Sequence, residues 1–401
     1  MSSVSTRRSV LRAAPVLALL CSLGVACAGA GTRYPCTSDA GACTPEPADG
    51  GLIPTGTFIS TAAVVWHDGA HNSDVDVASF NGALYVVFRS STSFTPSSAA
   101  QLRVMTSADH GATWTESAHL ALSGMDLREP KLSVFGGALR VTSTAWNPVG
   151  QSFHHTTVVT ASSANGRDFS PLSDTGIAAG SEAWRPKAMG DRLWVTAWKA
   201  DELYPNDSPG GLSLFTSLDG ASFGGGILLP VGPGAHQGEA ILRVDGALWV
   251  TIPERAESGA QDKQTVCHSA FVPPFSFSCW SVAQSPIASP ALFEFNGILF
   301  VSGEHDLPDG HARTGIWQVD ERAQSFNLLA DLPESEGETG APGVVGLDAS
   351  HLLLTYHSTS KLDPRVQALA SEPGKLQSEA QAYAVDALAV ILDMRQIPAG
   401  L

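Results

Sequence analysis

The chain has 401 residues, of which 43% are apolar, 7% aromatic and only 15% charged. That composition can bury one large core or two, and it excludes intrinsic disorder. Scarce charge without a heptad run excludes a coiled coil. The formal charge is −16, a surface that a phosphate backbone would repel, so no nucleic-acid partner is expected.

Residues 1–27 read as an export signal, to be kept apart from the fold. They carry Arg7, Arg8 and Arg12, no acid, and an apolar stretch from Ala13 to Ala26. That stretch is shorter than the roughly 20 residues a bilayer span needs. Thr6-Arg7-Arg8-Ser9-Val10-Leu11-Arg12 resembles a twin-arginine export motif; an ordinary Sec signal holding two arginines is the alternative. Leu23-Gly24-Val25-Ala26-Cys27 resembles a bacterial lipoprotein box with Cys27 as the lipidated residue, although Gly24 stands where that box prefers a branched apolar side chain. Plain cleavage near Ala26 or Ala30 is the alternative. Without this segment, 20 basic residues face 39 acidic ones. The mature protein is expected to be a monomer that is periplasmic, an outer-membrane lipoprotein or secreted. It would touch a membrane only through an anchor at Cys27.

Residues 28–55, rich in Gly, Ala, Pro, Ser and Thr, read as a flexible linker. Cysteine usage fits an exported protein. Beyond Cys21 and Cys27 there are four, in two local pairs, which predicts the disulfides Cys36–Cys43 and Cys267–Cys279. The second would close a loop in the fifth repeat described next. Zinc is the competing reading, but neither pair has the short gap of a zinc knuckle. No His pair has metal-ligand spacing, so no metal and no cofactor are expected.

From residue 56 onward one phrase recurs: an apolar strand, a Gly or Asp turn, then a strand with Leu, Val and an aromatic. Leu84, Leu139, Leu193, Leu248, Leu299 and Leu352 mark it, at intervals of 55, 54, 55, 51 and 53 residues. Asn81-Gly82, Asp245-Gly246 and Asn296-Gly297 are hairpin dipeptides. A period near 50 that opens with a hairpin leaves room for two more strands, which is a propeller blade. Six copies predict an all-β, six-bladed β-propeller over residues 56–401; a β-sandwich with chance spacing is the alternative.

A second motif lies in register between the phrases. Ser107-Ala108-Asp109-His110-Gly111-Ala112-Thr113-Trp114 is its fullest copy. Ser163-Ala164-Asn165-Gly166-Arg167-Asp168-Phe169 and Ser217-Leu218-Asp219-Gly220-Ala221-Ser222-Phe223 are shorter ones. The Asp or Asn side chain can bond local N–H groups, Gly can take a left-handed conformation, and the aromatic can pack inward. This resembles the Asp box of sialidases, a signal for fold and not for chemistry.

The resemblance extends over about residues 60–370, to exported bacterial sialidase-like glycosyl hydrolases. His71-Asn72-Ser73-Asp74-Val75-Asp76 followed by Phe88-Arg89 matches one family motif. Asp126-Leu127-Arg128-Glu129-Pro130-Lys131-Leu132, Trp184-Arg185 and Glu239-Ala240 match others. Ser289-Pro290 and Ala341-Pro342-Gly343 stand where the family has Gly-Pro and Tyr-Pro-Gly. The residues themselves point the same way. All but Arg89 sit where the first strand of a repeat starts, and such positions converge on one mouth of a propeller. Arg89, Arg128 and Arg185 are therefore the candidate substrate-binding residues, because Arg clusters hold carboxylates. Asp76, Glu129 and Glu239 are the candidate catalytic carboxylates; mutual ion pairing is the structural alternative.

The family resemblance implies a glycan partner and a Tyr nucleophile assisted by Glu. Ala341 stands where that Tyr would lie, and Tyr356 falls outside the matched position. Pro253-Glu254-Arg255 and Ser302-Gly303-Glu304 occupy places where the family ends strands in Arg. The sequence thus predicts either a glycoside hydrolase-like protein with a different acid/base pair or a propeller that binds carbohydrate or protein without catalysis.

Overall fold

The computed structural model describes residues 58–397 except 150–151, 154–155, 200–210, 233, 256–260, 285, 308–310, 370–374 and 377–378. The expected export segment, the linker, Cys27 and the Cys36–Cys43 pair lie outside the described residues.

The described chain is an all-β propeller. Each repeat opens with the expected hairpin. His71–Phe80 pairs with Ala83–Ser91 across Asn81-Gly82, both at positive φ (50° and 77°), as a tight two-residue turn demands. Asn296-Gly297 does the same between Ala288–Phe295 and Ile298–Asp306.

Four repeats form sheets of their own. One holds Asp126–Phe135, Ala138–Trp146, Thr157–Ser163 and Ser173–Asp174. The next holds Ser181–Ala183 and Lys187–Met189, both on Arg192–Lys199, then Leu212–Ser217 and Gly224–Leu228. The third holds Glu239–Leu242, Ala247–Glu254, Lys263–Ala270 and Ser278–Ala283. The fourth runs from Ala288–Phe295 through Ile298–Asp306 and Ala312–Asp320 to Ser325–Asp331.

The first and last repeats depart from expectation. Their strands share one eight-stranded sheet, so four separate blades are found where six were expected. The cause is local. Ala63–Trp66 pairs with Val385–Asp393, and the chain then runs directly into His71–Phe80, whose His71 also pairs, in parallel, with Val385.

The core lies between neighbouring sheets. Leu139, Leu193 and Leu248 are fully buried, and Leu84, Leu299 and Leu352 nearly so. The periodic leucines are therefore inter-sheet packing residues, each costing about 2–5 kcal/mol if cut to Ala. Cys267 and Cys279 form a disulfide between directly opposed residues of Lys263–Ala270 and Ser278–Ala283. It lies in the repeat that Glu239 opens, the fourth along the chain when the repeat opened by His71 is counted first, and not in the fifth.

Antiparallel connectivity sorts the molecule into two ends. The turn after the first strand and the turn after the third share one end; the start of the first strand and the end of the second share the other. At the turn end, Asp109 Oδ1 accepts from Ser107 Oγ at 2.8 Å and Thr113 N at 2.9 Å. Asp219 Oδ1 accepts from Ala221 N and Ser222 N at 2.8 Å. Asn165 Oδ1 accepts from Arg167 N and Asp168 N at 2.9 Å. These turns also dock on the preceding repeat: Asp219 O accepts from Arg140 Nη2 at 2.7 Å. A Cβ on Gly220 would come within 2.5 Å of Arg140 Nε, so this position requires glycine.

Candidate functional site

At the opposite end the innermost strands break their alternation at one repeated place. Register shifts fall between Ser73 and Asp76, Arg128 and Lys131, Ala288 and Ala291, and Gly340 and Gly343. In the sheet between residues 181 and 228 the innermost strand is interrupted at Trp184-Arg185-Pro186. Asp74, Glu129, Gln237, Ser289 and Ala341 all have positive φ, 43° to 60°. One such residue without glycine is uncommon; five at equivalent positions form a built feature. A bulge re-aims the side chain it carries, here toward the centre. Two layers result.

The lower layer is an ion-pair hub. Arg185 Nε donates to Asp76 Oδ1 at 3.0 Å, and Nη1 donates to Glu239 Oε2 at 2.6 Å. Its Nη2 donates to Pro342 O at 2.7 Å and its Nη1 to Pro290 O at 3.3 Å, so this one guanidinium reaches three other sheets. Asp76 Oδ2 also accepts from Leu132 N at 2.7 Å. Lys187 Nζ lies 3.1 Å from Glu239 Oε1. Asp76 and Glu239 are fully buried and Arg185 almost so. Burial disfavours the Arg185 charge, but Asp76 and Glu239 outweigh it and push the pKa above its ordinary value. Gly343 packs so closely that a Cβ there would meet Asp76 Oδ1 at 2.5 Å.

The other two arginines also have internal acceptors. Arg89 grips Asp126 with two bonds of 2.9 Å and donates to Ser93 O at 3.1 Å. Arg128 Nε lies 3.3 Å from Asp126 Oδ2, and its guanidinium sits 4.7 Å from the Phe94 ring centroid. The sequence-predicted arginines thus belong to one region, yet Arg185 joins Asp76 and Glu239 while Arg89 and Arg128 join Asp126.

The upper layer is different. Asp74 Oδ2 accepts from Glu129 N at 3.3 Å, Glu129 Oε1 from Gln237 Nε2 at 2.9 Å, and Gln237 Oε1 from Ser289 N at 3.0 Å. Glu129 Oε2 is buried without a hydrogen-bond partner. Burial, then Asp74, pushes the Glu129 carboxyl up to about 7. Burial and Asp74 likewise push Glu338 up to about 7. Burial and Glu338 push Glu304 up to about 8. Glu182, 8% exposed, is raised well above its ordinary value by burial and Glu129. For Asp74 burial is outweighed by His357, Lys131, Arg128 and Arg89, which hold it below its ordinary value. His357, lowered to about 4 by burial, accepts from Asp74 N at Nδ1 (3.2 Å), so at neutral pH the arginines supply that charge, while burial lowers the Lys131 pKa. Lys131 is fully buried, with Nζ 4.1 Å from the Trp184 ring centroid.

Two neighbouring carboxyls with opposite shifts, Asp74 ionised and Glu129 holding its proton near neutrality, have the form of an acid/base pair. Ala341 is buried where the family's tyrosine was expected. Tyr356 is buried with its hydroxyl donating to Pro333 O. Its phenol pKa is raised by burial, which disfavours the nucleophilic anion. Asp74, Asp126, Lys131, Glu182, Gln237, Glu304, Glu338 and His357 were not among the sequence candidates. The X-Pro steps Glu129-Pro130, Arg185-Pro186, Ser289-Pro290 and Ala341-Pro342 mark the bulge in four repeats, but none of these eight residues precedes a proline, so no comparable local signal points to them. His236 is partly buried, lowered to about 4 by burial, and bonded through Nδ1 to Gly234 O at 3.0 Å. Among the described residues no group of three or more His, Cys, Asp or Glu is placed to hold a metal ion.

No known sequence family matches the chain, and no curated protein does. Solved structures do. A protein of unknown function from Dyadobacter fermentans matches with a TM-score of 0.60 at 15% identity, over 84% of this chain and 98% of its own. The phage phi92 endosialidase matches with a TM-score of 0.62 at 11% identity, over 86% of this chain and 71% of its own. Trypanosoma rangeli sialidase, in complex with 2,3-difluorosialic acid, matches with a TM-score of 0.56 at 12% identity, over 81% of this chain and 55% of its own. The chain thus spans about half the length of that sialidase. At these identities the likeness is one of fold: the chain is an all-β propeller similar to those of sialidases.

Proposed function

We propose that the chain is an exported sialidase-like propeller that cleaves a glycan at this mouth, with Glu129 as proton donor and Asp74 as its ionised counterpart. The eight-stranded sheet then counts as two blades, Ala63–Trp66 completing the last, which gives a six-fold ring around Arg185. The supporting observation is the pairing of the two: Asp74 Oδ2 accepts from Glu129 N at 3.3 Å, and Glu129 Oε2 is buried without a hydrogen-bond partner. A buried carboxyl near pKa 7 beside a carboxylate is what glycoside hydrolysis needs. Asp76, Glu239 and Arg185 form the floor beneath the reacting groups. A chromogenic-glycoside and glycan screen on the purified mature protein tests this. Turnover should decline as pH rises through about 7, where Glu129 loses its proton. Turnover that keeps rising above pH 8 would remove Glu129 from the donor role.

The second reading is a carbohydrate- or protein-binding propeller without catalysis. Its support is Ala341 at the expected tyrosine position, and saturable glycan binding with no turnover of any glycoside would favour it.

A further inference from the structure

The register exposes a reversal of charge. Arg89 stands opposite Ser73, Glu304 opposite Ala288 and His357 opposite Gly340. Each partner directly precedes a bulge residue, so the three occupy one position in three repeats. The arginine is already bound by Asp126, and the histidine is neutral through its bond from Asp74 N. The remaining member is a carboxyl, and Glu304 Oε2 lies 3.2 Å from where a Cβ on Gly340 would stand. Asp74, Glu129, Glu182, Glu304 and Glu338 therefore gather where an anion-binding propeller would place cations.

A second observation is independent of this count. Glu182 is 8% exposed, with its charge disfavoured by burial and by Glu129. Glu129 Oε2 is buried without a hydrogen-bond partner. Buried acceptors without donors are costly, and a ligand that supplies donors recovers that cost. An ammonium group carries three donors, a positive charge and no acceptor. A sugar carboxylate would meet these carboxyls beside arginines that Asp126 already holds, and an N-acetyl group offers one N–H without charge.

Resting on the glycan reading above, we propose that the mouth takes an amino sugar, its protonated amine held by Glu182 and by Oε2 of Glu129. The other charged or titratable groups around these acceptors are Asp74, Arg128, Lys131, His357 and Glu338, with Arg255 and Asp306 beside Glu304. Amine binding favours the ionised carboxyls, so it releases protons from the mouth.

Calorimetric titration of the mature protein at about pH 6 tests the proposal, with glucosamine tetramer, N-acetylglucosamine tetramer, sialyllactose and tetralysine as probes. Glucosamine tetramer should bind at least tenfold more tightly than its acetylated form and release protons. Glu182→Gln should weaken it about tenfold at an unchanged melting temperature. Glu304→Arg should weaken it too and strengthen sialyllactose. Equal or tighter binding of the acetylated or sialylated sugar overturns the amine assignment and leaves the glycan reading standing. Failure of all three sugars, whether or not tetralysine binds, overturns both.

Discussion

The two layers at the propeller centre draw on neighbouring positions, Asp74 and Asp76 being two apart in one strand, yet they solve burial in opposite ways. Asp76 and Glu239 sit below, and every strong contact of Arg185 is with them or with backbone carbonyls. Asp74 and Glu129 sit above; Glu239 Oε1 and Glu129 Oε2 both lack a hydrogen bond, but a lysine, Lys187, faces the first at 3.1 Å and, among the described residues, no cation is paired with the second. A charge that is buried and paired contributes to a unique ring closure; one that is buried and unpaired destabilises the fold and is retained for another reason. The same sequence signal, a charged residue at the head of a strand, therefore carries two meanings.

The comparison can be broken first at the hub. Arg185→Ala leaves Asp76 and Glu239 buried without their shared partner, and should cost about 3–5 kcal/mol in denaturant unfolding. A variant as stable as the parent would mean that the lower layer is not structural. The upper layer should behave in reverse. Glu304 is raised in the folded state to about 8, so folding takes up a proton and stability is lost as pH rises from about 4.5 through about 8. Glu304→Gln removes that loss. It should match the parent near pH 4 and exceed it at pH 9 by up to about 5 kcal/mol; identical pH–stability curves would contradict this. The smallest effect belongs to the far end. Asp219→Ala removes the acceptor of two turn N–H groups and should lower the melting temperature by about 1–3 °C, leaving glycan binding unchanged. A change in binding would link the turn end to the mouth.

Much of the scaffold was legible. The six periodic leucines mark buried inter-sheet positions because a strand's burial alternation repeats with each hairpin. Asn81-Gly82 and Asn296-Gly297 announce their turns through backbone chemistry alone. The convergence of Asp76, Arg185 and Glu239 also followed from their repeated positions. What did not follow was the bulge. It reverses the alternation that sequence reading relies on, so Asp74 passed unnoticed two residues before Asp76. Glu304 registered only as a departure from the family pattern, since its meaning depends on the carboxyls that other sheets bring beside it. The fusion of the first and last repeats rests on His71 meeting Val385, a contact between distant segments that no local pattern encodes.

The central claim is that the upper layer works on a ligand while the lower layer holds the ring. Glu129→Gln and Glu239→Gln, compared in melting temperature and in turnover of the best glycan from the screen, test it most directly. The account predicts that Glu129→Gln keeps its melting temperature and loses about 100-fold or more in turnover, while Glu239→Gln loses several degrees of stability and its folded fraction keeps measurable activity. Full activity in Glu129→Gln, or a stable and inactive Glu239→Gln, would contradict it.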